Sequence, residues 1–401
     1  MSETRSFAAL RQPAFRGLFT GASAAMMADS IEHVISYWIL FEKFQSPALG
    51  GYAVLAHWLP FLLFSVYSGA LADRFDPRRM IQAGMALFMA VSIGWGVLFA
   101  TDSLEVWHAV VLLALHGLAG VLWSPAQQLM IHEVVDEKAL HSAVRLIATS
   151  RWLGLLLGPA VGAGILLLFG PTWGIFLNAL IYLPMMLWLR RAPYRRKPSP
   201  PRLRALADVL ATVRAIRGNR ILVSMVLLAG GTSLLVGNAY HAQMPEFARD
   251  LGQTEADLRY SMLLGADAAG ALAAAVALES RGLLAPTARR AFALALLWCA
   301  AIVAFAASKS YAFSVGLLFA VGFLELSFNA MAQTLVQLHA PPAIRGRVIG
   351  LYAMSALGMR TFSGVTVGMG GSLIGIHWSL GLSAALLFAC LLLGFFHISR
   401  Q

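Results

Sequence analysis

Asp29, Glu32 and His33 interrupt an otherwise apolar run at spacing i, i+3 and i+4, which puts all three on one helical face. Two carboxylates sharing a poorly hydrated site disfavour each other's ionisation, so such a face takes up and releases protons. The plainer reading is a structural Asp29–His33 pair. Further ionisable residues stand in or beside other apolar runs: Asp267 in "LLGADAAGALAAAV", Glu325 in "GFLELSFNAMAQ", and Arg145, Arg151 and Arg360. A charge at mid-membrane costs roughly 2.5–3.5 kcal/mol on insertion scales, so each is a candidate for function if these runs cross a bilayer.

Composition says that they do. The 401 residues are 59% hydrophobic and 12% charged, with a mean hydropathy of +0.72, whereas soluble domains carry about 25% charged residues. Twelve apolar segments are long enough to span: 14–41, 50–72, 80–101, 107–131, 142–169, 172–189, 221–244, 258–279, 291–307, 311–337, 348–375 and 379–397. The short basic start "MSETRSFAALRQPAFRG" has no cleavage-site pattern, so the first segment is expected to be a span.

The net charge of +11 is distributed by topology. With the N-terminus inside, inner loops and tails hold 23 of the 30 Lys and Arg, and outer loops only Lys43, Arg249, Arg259 and Lys309. That asymmetry is the positive-inside rule, so both termini are expected in the cytoplasm. The basic excess is thereby explained without nucleic acid, and anionic lipid is the expected partner of the basic loops. Cys299 and Cys390 both lie in apolar runs and suggest neither disulfides nor a metal set. No phosphate loop, His-Glu helix motif or nucleophile elbow is present, so neither an enzyme nor a cofactor is expected.

Residues 190–220 carry ten basic residues against one acid and form the long linker, with "LRALADVLATVRAI" spaced as a surface-lying amphipathic helix. The chain thus divides into a half at 1–189, a linker at 190–220 and a half at 221–401. The halves repeat. "GLAGVLWSPAQQ" (117–128) aligns with "GFLELSFNAMAQ" (322–333), and Gly158, Gly162 and Gly164 align with Gly364, Gly368 and Gly370. Parallel repeats of this kind build transporters that work about a midplane site. Glu325 replaces the Gly120 of the first repeat, an asymmetry that suggests either function or a structural partner for Arg360. Trp123 and Phe328 occupy matching positions and are expected on a cavity wall, as are Asn238 and His241, which are spaced like Asp29 and Glu32. Asp267 among small residues is either a site residue or a structural hydrogen-bonder.

The turn "GALADRFDPRRM" (69–80) resembles the loop motif between helices 2 and 3 of the major facilitator superfamily, and "GLLLGPAVGAG" resembles the Gly-Pro motif of its antiporters. "LWSPAQQLMIHEVV", "LVQLHAPPAIRGRV" and Asp29 narrow the resemblance to the third drug:proton antiporter family, with its macrolide, multidrug and enterobactin-exporter-like members. Two departures stand out: "DP" replaces the glycine after Asp-Arg, and no helix 4 arginine is present, His116 being nearest in spacing. The resemblance implies an all-α membrane protein of twelve helices in two six-helix halves. It also implies a proton-coupled exporter of amphipathic small molecules in a bacterial-type cytoplasmic membrane, acting as a monomer.

On that map, the coupling or substrate-binding candidates are Asp29, Glu32, His33, Glu325, Asp267, Arg360 and Arg151. Gly158, Pro159 and Gly162 are expected to let helix 5 pack closely and bend. Gly69, Asp73, Arg74, Arg78 and Arg79 form a candidate gate. In it Asp73 faces a helix N-terminus, which the resemblance implies is helix 11, Arg74 faces Glu133 or Asp136, and Arg78 and Arg79 face lipid phosphates. An anionic metabolite such as a siderophore is the alternative cargo, with Arg151, Arg360, His33, His57, His116 and His241 to meet it. A non-transporting sensor or scaffold is the third reading.

Overall fold

The computed structural model describes residues 7–44, 47–193, 205–237, 239–242, 244–251, 256–281, 285–363, 366–367 and 370–399. Asn238 lies outside the described residues, and so do the side chains of Arg151 and Pro159. The chain is helical, and the described residues contain no strand. In order, the helices are α1 (Pro13–Phe44), α2 (Pro47–Arg74), α3 (Pro77–Ala100), α4 (Val106–Val134), α5 (Leu140–Ile181) and α6 (Leu183–Leu189). A short α7 (Ala205–Ile216) follows, then α8 (Arg220–Leu235), α9 (Ala239–Ala242), α10 (Met244–Asp250), α11 (Ala256–Arg281), α12 (Ala288–Ala307) and α13 (Tyr311–His339). The last are α14 (Arg345–Ala353), α15 (Arg360–Ser363), α16 (Gly370–Ile374) and α17 (Ile376–Ser399). Among the described residues, eight helices are long and apolar enough to cross a membrane.

Two apolar segments are organised differently from simple rods. The fifth and sixth run together as α5 and are separated by one residue, Gly170, whose φ of 70° leaves the helical region and suits glycine. The eleventh is broken: α14 gives way to a π-helical turn at Met354–Gly358 before α15. The amphipathic linker segment is helical as α7, with Thr212 and Ile216 buried and Leu210 and Val213 exposed.

The chain forms two compact units. One comprises Phe7–Thr212 with Pro341–Ala353, the other Val213–Ala340 with the chain from Met354 onward. The expected halves met at the basic linker; in the structure α14, which comes late in the sequence, belongs to the first unit because it packs along α2. Small residues make that contact possible: a Cβ on Gly69 would run into the Gly346 carbonyl, and one on Gly350 into the Ser65 carbonyl.

Within the first unit α1 lies along α5, and α4 packs on both α2 and α3. Gly158 abuts Ser30, and Gly162 faces Ile31 with room for a Cβ only 3.3 Å from its Cα. These glycines therefore serve close packing of α5 on α1, and the helix runs through them unbroken. Within the second unit α11 lies along α13 and α12 along α17. The repeat is visible in detail: a Cβ on Gly117 would strike the Ala56 carbonyl, and one on its counterpart Gly322 would strike the Asp267 carbonyl.

Candidate functional site

Helical spacing brings the α1 acids to one face, and α4 supplies what they face. His116, 4% exposed, places Nδ1 2.8 Å from Glu32 Oε1 and Nε2 2.8 Å from Asp29 Oδ1. A second layer holds Glu32: the Ser92 hydroxyl donates to its other oxygen, and the Asn178 amide donates to Ser92 at 3.4 Å. Glu32 is 2% exposed, so these bonds replace the water it has lost.

The proton count of this bridge follows from donors and acceptors. With both carboxylates ionised, both ring nitrogens must donate and His116 is an imidazolium; with one carboxylic acid protonated, the ring is neutral. Either way Asp29, His116 and Glu32 together hold one proton more than the fully deprotonated set.

His33 sits beside the bridge, its Nδ1 2.7 Å from the Asp29 carbonyl oxygen and 3.9 Å from Asp29 Oδ2. The stronger partner is thus the backbone, not the carboxylate of the expected Asp29–His33 pair. His57, from α2, completes a histidine cluster, with ring centroids 4.8 Å from His33 and 5.7 Å from His116. Phe88 closes the apolar side, 4.8 Å from His116 and stacked on Tyr182.

The second unit carries a different network. Glu325, 4% exposed, lies 3.7 Å from the Arg360 guanidinium and accepts from the Tyr240 hydroxyl at 3.3 Å. Arg360 also donates to the Ala356 carbonyl at 3.2 Å, one of the carbonyls of the π-helical turn. One ring contact away, 4.3 Å from Tyr240, His241 Nε2 meets Asp267 Oδ2 at 3.1 Å. Asp267 is 1% exposed, and its Oδ1 has no hydrogen-bond partner.

Several expectations change here. Trp123 and Phe328 are buried against Phe88 and Trp298, so they pack the interiors of their own units and do not form an open wall. His241 pairs with an acid instead of lining a wall. Asp73, in contrast, meets the helix N-terminus expected to face it: it accepts from the Gly346 and Arg347 backbone N–H groups at 2.8 and 2.9 Å, at the start of α14. Arg74 lies over the Phe75 ring at 5.3 Å. Arg78 forks onto Asp76 at 2.7 Å and donates to the Ala192 carbonyl at 2.8 Å; it ties a loop and does not point to lipid, because Asp76 caps α3 beside it. The absence of a metal set, read from the cysteines, meets a cluster made of other residue types: Asp29, His33, His57 and His116 present ligand atoms that all lie within 4.8 Å of one another.

His116 and His57 are the residues that sequence reasoning undervalued. Their signal was their position inside apolar spans, but 84 residues separate Glu32 from His116, and nothing local joins them.

Comparison with known proteins agrees with this architecture. The profile of the transmembrane secretion effector family matches residues 4–400. Macrolide efflux protein A of Streptococcus pyogenes is 25% identical over 43% of this chain and 41% of its own length. Enterobactin exporter EntS of Shigella boydii is 24% identical over 85% of this chain and 81% of its own. Leading curated relatives are matched over only about half of their length, 41–56%. The solved structure of the E. coli transporter FucP, in its outward conformation, superposes with a TM-score of 0.75 over 99% of this chain and 100% of that one, at 14% identity.

Proposed function

Because this chain belongs to the transmembrane secretion effector family of major facilitator transporters, we propose that it is a proton-driven antiporter that exports amphipathic small molecules by alternating access. The family consists of integral membrane transporters, not enzymes. The observation that carries the coupling is the His116 ring bridging Asp29 and Glu32 at 2.8 Å on each side, a geometry that needs one shared proton. Proton entry there neutralises charge that cargo loading then favours exposing again. Each ligand shifts the conformational populations only by its differential affinity for them.

Glu325 with Arg360 and Tyr240 is assigned to recognition of cationic cargo, and Asp267 with His241 to its polar support. Asp73 is assigned as a latch on α14 that must release during the cycle. Arg79 and the 190–220 linker meet the anionic lipid of a bacterial inner membrane, and the working unit is a monomer. A dedicated siderophore or metabolite exporter is the second reading, favoured by the match to EntS over most of this chain.

Transport into and out of proteoliposomes under an imposed pH gradient tests the proposal, with macrolide, cationic-dye and catecholate-siderophore panels and an internal pH dye. Substrate-dependent proton movement supports antiport, and selective loss of cationic substrates in Glu325→Gln supports the recognition role. Movement of the siderophore class alone selects the second reading. No substrate-dependent proton movement with any panel ends the antiporter assignment.

A further inference from the structure

We propose that Asp29, His33, His57 and His116 form a binding site for a divalent first-row transition-metal ion in the Fe2+ to Zn2+ range. The inference does not rest on the export reading, but it draws on two of the same groups, so a metal ion and the shared proton would compete for Asp29 and His116. Its first support is convergence: one carboxylate and three imidazoles, from three different helices, offer ligand atoms within 4.8 Å of one another. Metal bonds of about 2.0–2.1 Å place tetrahedral ligand atoms about 3.4 Å apart, so the widest pair would need to close by only about 1.4 Å. Side-chain rotation covers that distance.

The second support is the arrangement behind the ligands. Metal-bound histidines donate their remaining ring N–H to a carbonyl or carboxylate, which fixes the tautomer and aims the lone pair. His33 offers Nδ1 to the Asp29 carbonyl at 2.7 Å, and His116 offers Nδ1 to Glu32 Oε1 at 2.8 Å. Both rings therefore turn Nε2 away from their anchors, and that of His116 comes to 2.8 Å from Asp29 Oδ1. Glu32 is anchored in turn by Ser92, so it acts as a positioning residue and not as a ligand.

Ligand chemistry selects the ion class. Imidazole suits Fe, Co, Ni, Cu and Zn, whereas Ca2+ and Mg2+ call for all-oxygen surroundings that three histidines do not give. Access is open on one side, because the His33 and Asp29 side chains are 22% and 15% exposed while His116 and Glu32 are 5% and 2% exposed.

Co2+ serves as the probe, added to the full-length chain in detergent micelles after removal of any affinity tag. One saturable equivalent with visible ligand-field absorption is expected, displaced by Zn2+ and unaffected by Mg2+. X-ray absorption at the bound metal should show imidazole scattering, a readout that needs no variant. His57→Gln and His33→Gln should each weaken binding by at least tenfold, and Glu32→Gln by about 10–100-fold through loss of outer-shell support, whereas His141→Gln should leave it unchanged. The proposal is overturned if the wild-type chain binds no equivalent, if the ligand shell is oxygen only, or if binding survives in the monodisperse His33→Gln/His57→Gln double variant.

Discussion

The Asp29–Glu32 site of the first unit and the Glu325 site of the second bury acids in opposite ways, although the second unit also holds an acid–histidine pair, Asp267 with His241. In the first, Asp29 and Glu32 close on an imidazole, whose charge comes and goes with a proton; in the second, Glu325 faces a guanidinium, which is charged at all working pH. An acid paired with a permanent cation changes the net charge of its site when it titrates, but its partner stays a cation throughout. Two acids bridged by a histidine can redistribute a proton internally at 2.8 Å contacts. The proposed division of labour between proton coupling and cargo recognition rests on that difference.

The sharpest test of the difference is Asp29→Asn. It should reduce gradient-driven transport in proteoliposomes to the level of empty liposomes while the protein stays monodisperse. Retained coupling would move the proton path to the second unit.

Next in size are the cations. His116→Leu leaves two buried carboxylates facing each other, and Arg360→Leu strands Glu325; each should lower unfolding stability by about 3–5 kcal/mol. In thermal unfolding, Glu325→Gln should recover most of the Arg360→Leu loss. Single Glu32→Gln should recover only part of the His116→Leu loss, because Asp29 remains charged. Equal rescue in both units would erase the contrast.

Asp73→Asn should cost about 1 kcal/mol, since an amide oxygen still accepts from one backbone N–H where the carboxylate accepts from two. Cysteine accessibility on either membrane face should shift at the same time; an unchanged balance would leave Asp73 as a helix cap alone. The smallest effect belongs to an ion pair outside the membrane. Lys43 hydrogen-bonds Asp102 at 2.7 Å and holds its carboxyl below the usual range. The sign follows: any stabilisation is present above the ordinary carboxylate pKa and is lost as pH falls through the folded value. Because Asp102 is exposed, Asp102→Asn should leave the unfolding temperature unchanged near neutral pH, and Asn also tolerates its φ of 50°. A measurable loss would mean that solvent does not screen this pair as it should.

Much of the fold was legible because a bilayer makes composition strict. Segments such as 80–101 and 311–337 agree with α3 and α13 to within a few residues, since a spanning helix must be long and apolar. The acids were legible for the converse reason, as costly exceptions. The pairings were not. Asp267 with His241, His116 with Glu32, and Arg78 with Ala192 join residues 26, 84 and 114 apart, and helix packing decides them without leaving a local trace. The break in the eleventh segment was also hidden, because the residues of the π-helical turn, "MSALG", are ordinary helix formers or small.

The reciprocal contact of α11 and α13 has a mechanical meaning. Gly322 abuts the Asp267 carbonyl and Gly270 abuts the Phe319 carbonyl, so neither helix has a side chain between backbone and backbone at these two points. Two such pins forbid sliding and leave the pair free only to pivot together as one lever. Asp267 and Glu325, mounted on its two arms, then keep a fixed separation through any motion, and a spin-label distance between α11 and α13 should stay constant through the transport cycle.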